Sequence, residues 1–161
     1  SENGARGLLL TIYNELYRAD FDLTIFEDDI LFLQDPNLIM ELAMKELPHD
    51  WDILYLGGTC LKPLIPHSEH LFQVQEMLAT HAMCISVKGI KLLIKEIEEY
   101  LAFENKIPID LIIARQIQPL GKCFVVNPLL AIQREGYSDI EKKHVNYSFM
   151  ETLFNRFKPH G

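Results

Sequence analysis

Four stretches of the chain repeat apolar residues at helical spacing, and four others carry short apolar runs of strand length. Leu8, Leu9, Ile12 and Leu16 fall on one face, with Asn14, Glu15 and Arg18 away from it, which predicts an amphipathic helix. Phe21 to Phe26 alternates apolar and polar before closing on Ile25 and Phe26, the pattern of a strand running into the core. Residues 37–46 return to helical spacing through Leu38, Ile39, Leu42 and Ala43, and Pro48 stops that helix. Trp51 to Leu56 reads as a buried strand ended by Gly57-Gly58, and His81 to Val87 as a third. Ser86 offers an N-cap to a helix with inner stripe Ile90, Leu93, Ile94, Ile97 and Leu101. Pro108 opens a shorter helix through Leu111, Ile112 and Arg115, and Lys122 to Val126 is the last strand. Residues 61–79, with Pro63, Pro66, His67 and His70, show no period and are expected to form a long loop of the functional-lid kind. Beyond Val126 the chain is expected to be irregular, punctuated by Pro128, Gly136 and Ser138.

Strands alternating with helices predict an α/β domain with a mostly parallel sheet flanked by helices, one domain over residues 1–161. In such sheets ligands collect beyond the carboxyl ends of the strands, where Glu27-Asp28-Asp29 lies. If the chain stays extended past Phe26, Glu27 and Asp29 project to one side while Asp28 points away. Two carboxylates so placed make a hard oxygen site for Mg²⁺ or Mn²⁺, and such an ion can hold a diphosphate as it leaves. Three carboxylates between apolar runs also repel one another unless a cation or partner relieves them. A solvated acidic turn is the alternative.

Composition narrows the classes. At 161 residues the chain is long enough to bury a core without disulfides, and 48% apolar with 24% charged residues is the balance of a globular domain. A formal net charge of −8 argues against a nucleic-acid surface. No run has the apolar length of a membrane span, and no leader pattern is visible. Cys60, Cys84 and Cys123 fit neither a disulfide framework nor a zinc set; Cys84 and Cys123 are expected as small buried hydrophobes. Free thiols favour a reducing compartment, so a cytoplasmic location is the expectation. His67 and His70 could share a metal face only if helical, and a solvated loop is the competing reading. Lys142, Lys143, Arg156 and Lys158 give the C-terminal end a basic cast suited to phosphates or simply to solvent.

The string Leu23-Thr24-Ile25-Phe26-Glu27-Asp28-Asp29-Ile30 resembles the acidic signature of family 25 glycosyltransferases, the lipooligosaccharide and collagen galactosyltransferase group. Four further strings follow in that family's order. Trp51-Asp52-Ile53-Leu54-Tyr55-Leu56-Gly57 is similar to its Trp-Asp strand, and Thr80 to Ser86 with Lys88-Gly89 to its strand-and-helix entry. Pro108-Ile109-Asp110 resembles its Pro-Val-Asp, and Asn127-Pro128-Leu129, Gln133 and Ser138-Asp139-Ile140 its closing segment. The likeness runs from about Gly4 to Ile140.

The resemblance implies a partial GT-A (Rossmann-like) nucleotide-sugar fold, a UDP-sugar donor carrying galactose or glucose, and transfer with inversion to a glycan or protein acceptor. It implies Glu27 and Asp29 as the Mn²⁺ or Mg²⁺ motif, with Asp29 the direct ligand. Asp110 is the candidate base for the acceptor hydroxyl, and helix capping is its competing role. Asp28, Thr80, His81, Gln133, Ser138 and Asp139 are candidate substrate contacts; a core histidine is the more common role for a residue placed as His81 is, and the last three read equally as an ordinary turn. His144 is a candidate late metal ligand. Two departures stand out. Thr11-Ile12 replaces the Ser-His pair ahead of the acidic motif, and the family's preceding strands, which hold base and ribose, would fall before Ser1, so the chain is expected to be either a fragment of a longer catalytic domain or a reduced homologue. The alternative is a truncated, inactive relative acting as an interaction module, whose open sheet edge leads to self-association.

Overall fold

In the computed structural model, which describes residues 2–103, 107–138 and 143–160, the first apolar stripe forms α1 (Glu2–Arg18) and buries Leu9, Ile12 and Leu16. Strand β1 (Leu23–Phe26) runs to the acidic triplet, and β2 (Ile30–Phe32) leads away from it. Asp35 then caps α2 (Pro36–Glu46), its carboxylate accepting from the Asn37 backbone N–H at 2.9 Å, with proline at the first helical position. This helix buries Ile39 and Ala43 but leaves Leu38 exposed, so its inner face is narrower than the apolar pattern predicts. Strand β3 (Ile53–Tyr55) is wholly buried.

Residues 61–79 are not the irregular loop that the sequence predicts. The stretch from Gly57 to Ala79 contains β4 (Thr59–Cys60), β5 (Ile65–Pro66), β6 (Leu71–Gln73) and β7 (Met77–Leu78), and Leu71, Phe72, Val74 and Met77 are buried. Strands this short, interrupted by proline, give no readable period. Next come β8 (Ala82–Ile85), α3 (Val87–Ala102) and α4 (Ile109–Ile112). The last continues through a π-helical turn, Ile113–Ile117, and a 3₁₀ turn, Gln118–Leu120. Strand β9 (Cys123–Val126) follows. The expected irregular tail is instead ordered as β10 (Ala131–Gln133), β11 (Gly136–Ser138), β12 (Lys143–Val145) and α5 (Phe149–Phe157), which buries Met150 and Phe154.

The main sheet has the order β1-β8-β3-β9-β6-β5. The fold is α/β, but the sheet is mixed and mostly antiparallel, which corrects the expectation of a mostly parallel one. Among the described residues β3 and β9 form its one parallel pair; the β1–β8, β3–β8, β6–β9 and β5–β6 pairs are antiparallel. The physical reason is that apolar runs report burial, not direction or neighbour order. Strands β1, β3 and β9 do run the same way, because β1 and β3 are each antiparallel to β8. Strand β8 returns between β1 and β3 and removes the parallel contact that their helical connection would otherwise produce.

Alternation along the strands makes two cores. Ile53, Tyr55, Met83, Ile85, Cys123 and Val125 pack towards α1, α3, α4 and α5. Leu54, Leu56, Ala82, Cys84, Phe124 and Val126 pack towards Ile39 and Ala43 of α2. The domain is therefore three-layered. A tight corner locks β3 to the entry of α3. Ser86 Oγ donates to the Trp51 carbonyl at 2.7 Å and accepts from the Gly89 N–H at 3.0 Å, while the Ser86 N–H reaches the Asp52 carbonyl at 3.0 Å. A Cβ on Gly89 would stand 2.3 Å from that carbonyl oxygen. Asp52 is fully buried and pairs with Lys88 Nζ at 2.8 Å. The Trp-Asp and Ser-x-Lys-Gly strings are thus accounted for by folding.

Candidate functional site

The site grows from the end of β1. The Glu27 N–H donates to the His81 carbonyl at 2.8 Å, carrying the β1–β8 ladder one residue further. The chain then turns at Asp28-Asp29 instead of remaining extended, so strand alternation does not set the relation of Glu27 to Asp29. Glu27 faces a cavity, whereas Asp29 is drawn towards β10. The register of β10 against β2, Gln133 opposite Ile30, brings Gln133 Nε2 to 3.2 Å from Asp29 Oδ2. Arg134 clasps the same turn: its N–H donates to the Asp29 carbonyl at 2.6 Å, Nε to Ile30 at 3.2 Å and Nη2 to Asp28 at 3.1 Å. The Asp28 side chain is exposed. Asp29 Oδ1 is buried and has no hydrogen-bond partner among the described residues.

Glu27 lines a cavity of about 420 Å³ together with Thr80, Asp110 and Gln133. Thr80 Oγ1 donates to Glu27 Oε1 at 2.9 Å. Burial raises the Glu27 pKa above its ordinary 4.5; Asp29, Asp28 and Asp110 push the same way, and only the Thr80 bond opposes them. Asp110 enters from the first turn of α4. Its Oδ1 accepts from the Leu111 N–H at 2.9 Å, and its Oδ2 from the Ala79 N–H at 3.2 Å. It thus serves the helix start and faces the cavity at once. Ala79 holds a positive φ of 75°, so the Asp110 bond fixes a turn that an alanine rarely adopts. Gln118 secures β7 just before this turn, exchanging bonds with the Met77 backbone at 2.7 and 3.0 Å and donating to the Tyr55 hydroxyl at 2.8 Å.

His81 lies beneath the site and does not line the cavity. It is fully buried, with Nε2 3.4 Å from the Ala131 carbonyl and Nδ1 without a hydrogen-bond partner among the described residues. Burial lowers its pKa below 6.5, against the Ala131 carbonyl and the Asp29 charge. Gly57 makes room for it, since a Cβ there would meet Ala131 O at 2.0 Å and His81 Nε2 at 2.6 Å. Ser138 ends β11, and Asp139 lies outside the described residues. The structure therefore brings Glu27, Thr80, Asp110 and Gln133 together around one cavity, sets Asp29 beside it and keeps His81 below.

The remaining candidates sit elsewhere. His70 pairs with Glu46 at 2.6 Å, Glu46 also accepting from the His70 N–H at 2.9 Å and from Ser68 Oγ. Among the described residues Glu46, Glu69 and His70 are the group of three whose ligand atoms lie within 4.8 Å of one another. They stand beside β6, towards the other edge of the sheet from β1. His67 packs against Phe124 with ring centroids 4.7 Å apart and tilted by 54°, and His144 lies in β12 opposite Tyr137. Arg156 stands over the Phe157 ring at 5.6 Å. All three cysteines are buried, and burial raises their thiol pKa values, that of Cys60 to about 12. Sequence reasoning gave no role to Arg134, Tyr147 or Phe149. Arg134 is adjacent to the quoted Gln133, but no local pattern reveals a clasp formed across more than a hundred residues.

The fold and site define a three-layer α/β domain with a carboxylate-lined cavity at the carboxyl end of its co-directional strands. No helix among the described residues is long and apolar enough to cross a membrane. No protein-family model matches the chain, and no curated protein matches it.

Proposed function

We propose that the chain is the catalytic part of an inverting, divalent-metal-assisted hexosyltransferase with a GT-A type fold, using a UDP-sugar donor and a glycan or protein acceptor. The observation that carries this reading is the unpartnered, buried Asp29 Oδ1 beside a cavity holding Glu27 and Asp110. An orphaned carboxylate oxygen among further carboxylates has the chemistry of a site built for a hard cation. The co-directional β1, β3 and β9, with the acidic turn beyond the end of β1, agree with it.

In this reading Asp29 and Glu27 would hold Mn²⁺ or Mg²⁺, an ion that would neutralise the charge of the leaving diphosphate. Gln133 and Arg134 fix the turn that presents Asp29. Asp110 takes the proton from the acceptor hydroxyl as its oxygen bonds to the anomeric carbon and the UDP oxygen departs. Its two bonds to backbone N–H groups orient the carboxylate and leave lone pairs for that proton. Thr80 orients Glu27.

The test is calorimetric titration of UDP-galactose and UDP-glucose with and without Mn²⁺, on the wild type and Asp29→Ala. Metal-dependent binding lost in the variant supports the assignment; binding indifferent to both removes it. A second reading, an interaction module, is favoured by one observation. Strand β1 is a sheet edge with Phe21 81% and Phe26 47% exposed beside it, a surface suited to a partner strand. Absence of nucleotide-sugar binding, with concentration-dependent sedimentation, would select that reading.

A further inference from the structure

The same cavity has an aromatic wall that the acidic motif does not explain. Tyr147 and Phe149 both line it, their ring centroids 6.0 Å apart at 41°. Neither ring is placed by chance. The Met150 N–H donates to the Tyr147 carbonyl at 3.0 Å, and the Ser148 N–H to Asn146 Oδ1 at 2.9 Å, fixing the turn that carries them. Met150 and Phe154 then anchor α5 in the core at 1% and 2% exposure, while Phe149 keeps 40% of its surface open. An exposed phenylalanine at the first position of a helix anchored in the core, at the rim of a cavity, is a surface held for contact.

We propose that this cavity seats a neutral pyranose ring, its C–H face stacked on Tyr147 and Phe149 and its hydroxyls bonded to Glu27 and Asp110. Assigning that ring to the acceptor rests on the transferase reading; the binding itself does not. The lining combines apolar and aromatic walls with a few convergent oxygen acceptors, the pattern of a small-molecule site. A sugar presents the same division, an apolar ring face and a rim of hydroxyl donors. Among the described residues no lysine or arginine lines the cavity, so an anionic ligand would face two carboxylates without a counter-charge from them. An ammonium ligand would pair with the same two carboxylates, which is why putrescine serves as the competing probe.

Saturation-transfer NMR of methyl β-galactoside and methyl β-glucoside with the full chain, without nucleotide or metal, tests this. The expected result is transfer strongest to the ring C–H protons, with affinity reduced about tenfold in Phe149→Ala and retained in Phe149→Tyr and Tyr147→Phe. Melting curves matched to wild type establish that the Phe149 variants fold. No transfer, equal transfer in Phe149→Ala and Tyr147→Ala, or displacement of the glycoside by putrescine would overturn the proposal. Glycoside binding without Mn²⁺-dependent UDP-sugar binding keeps this inference and removes the transferase reading. The reverse result removes this inference alone.

Discussion

Gln133 donates its side-chain amide to Asp29 Oδ2 at 3.2 Å, joining positions 104 residues apart. The bond exists because β2 and β10 pair with Ile30 opposite Gln133. It is the only side-chain hydrogen bond to the Asp29 carboxylate among the described residues, since Oδ1 has none. Gln133→Leu is therefore expected to leave a part-buried carboxylate wholly unsatisfied and cost about 1–3 kcal/mol of stability. Urea unfolding measures it; an unchanged midpoint would show that water already satisfies Asp29.

Glu27 has its pKa raised above 4.5, chiefly by burial. For a raised carboxyl the native state binds the extra proton, so its contribution to stability is fully present below pH 4.5 and is lost as pH rises through the native value. Glu27→Gln keeps an acceptor for Thr80 and removes the charge. The variant is expected to melt above wild type at pH 7, with the gap closing towards pH 4. Thermal melts across that range decide it, and a variant less stable at pH 7 would contradict the assignment.

His81 titrates with the opposite consequence. Its pKa is lowered from 6.5, mainly by burial, so its contribution is present above pH 6.5 and is lost as pH falls through that value towards the native one. Wild-type stability is expected to fall on acidification through this window. His81→Gln loses packing and is less stable throughout, but its slope against pH is expected to be flatter just below pH 6.5. Denaturant midpoints at half-unit pH steps measure the slope, and parallel curves would mean that His81 contributes nothing to it.

Helices α1 to α4 were legible because their signals are local. Ser86 caps α3 as its residue type predicts, and Ile90, Leu93 and Ile97 form its buried stripe. The strands were legible as buried runs, but their directions were not. Whether β8 inserts between β1 and β3 depends on contacts between distant segments that apolar spacing does not encode. The same limit governed the site. Glu27 and Asp110 stood out as acidic residues near predicted element ends, yet their sharing of one cavity is a tertiary fact. The pairing of Glu27 with Asp29 on one strand face presumes an extended chain, and residues 28–29 form a turn instead. The β10 strand and the α5 helix were missed because proline, glycine and polar residues around them mask a short apolar pattern.

Lys88 and Asp52 give the last prediction. Asp52 is fully buried, and its partner Lys88 keeps about half its side-chain surface in water, 51%. Removing the lysine strands a charge in the core, whereas removing both charges does not, because most of the penalty belongs to the unpaired carboxylate. Lys88→Met is expected to destabilise the fold by about 3 kcal/mol, at the low end of the buried-pair range since water reaches the ammonium. Adding Asp52→Asn to that variant is expected to recover a large part of the loss. A double-mutant cycle by urea unfolding reads the coupling directly. If the two losses simply add, the pair is not coupled, and the Trp51-Asp52 string needs another explanation than this corner.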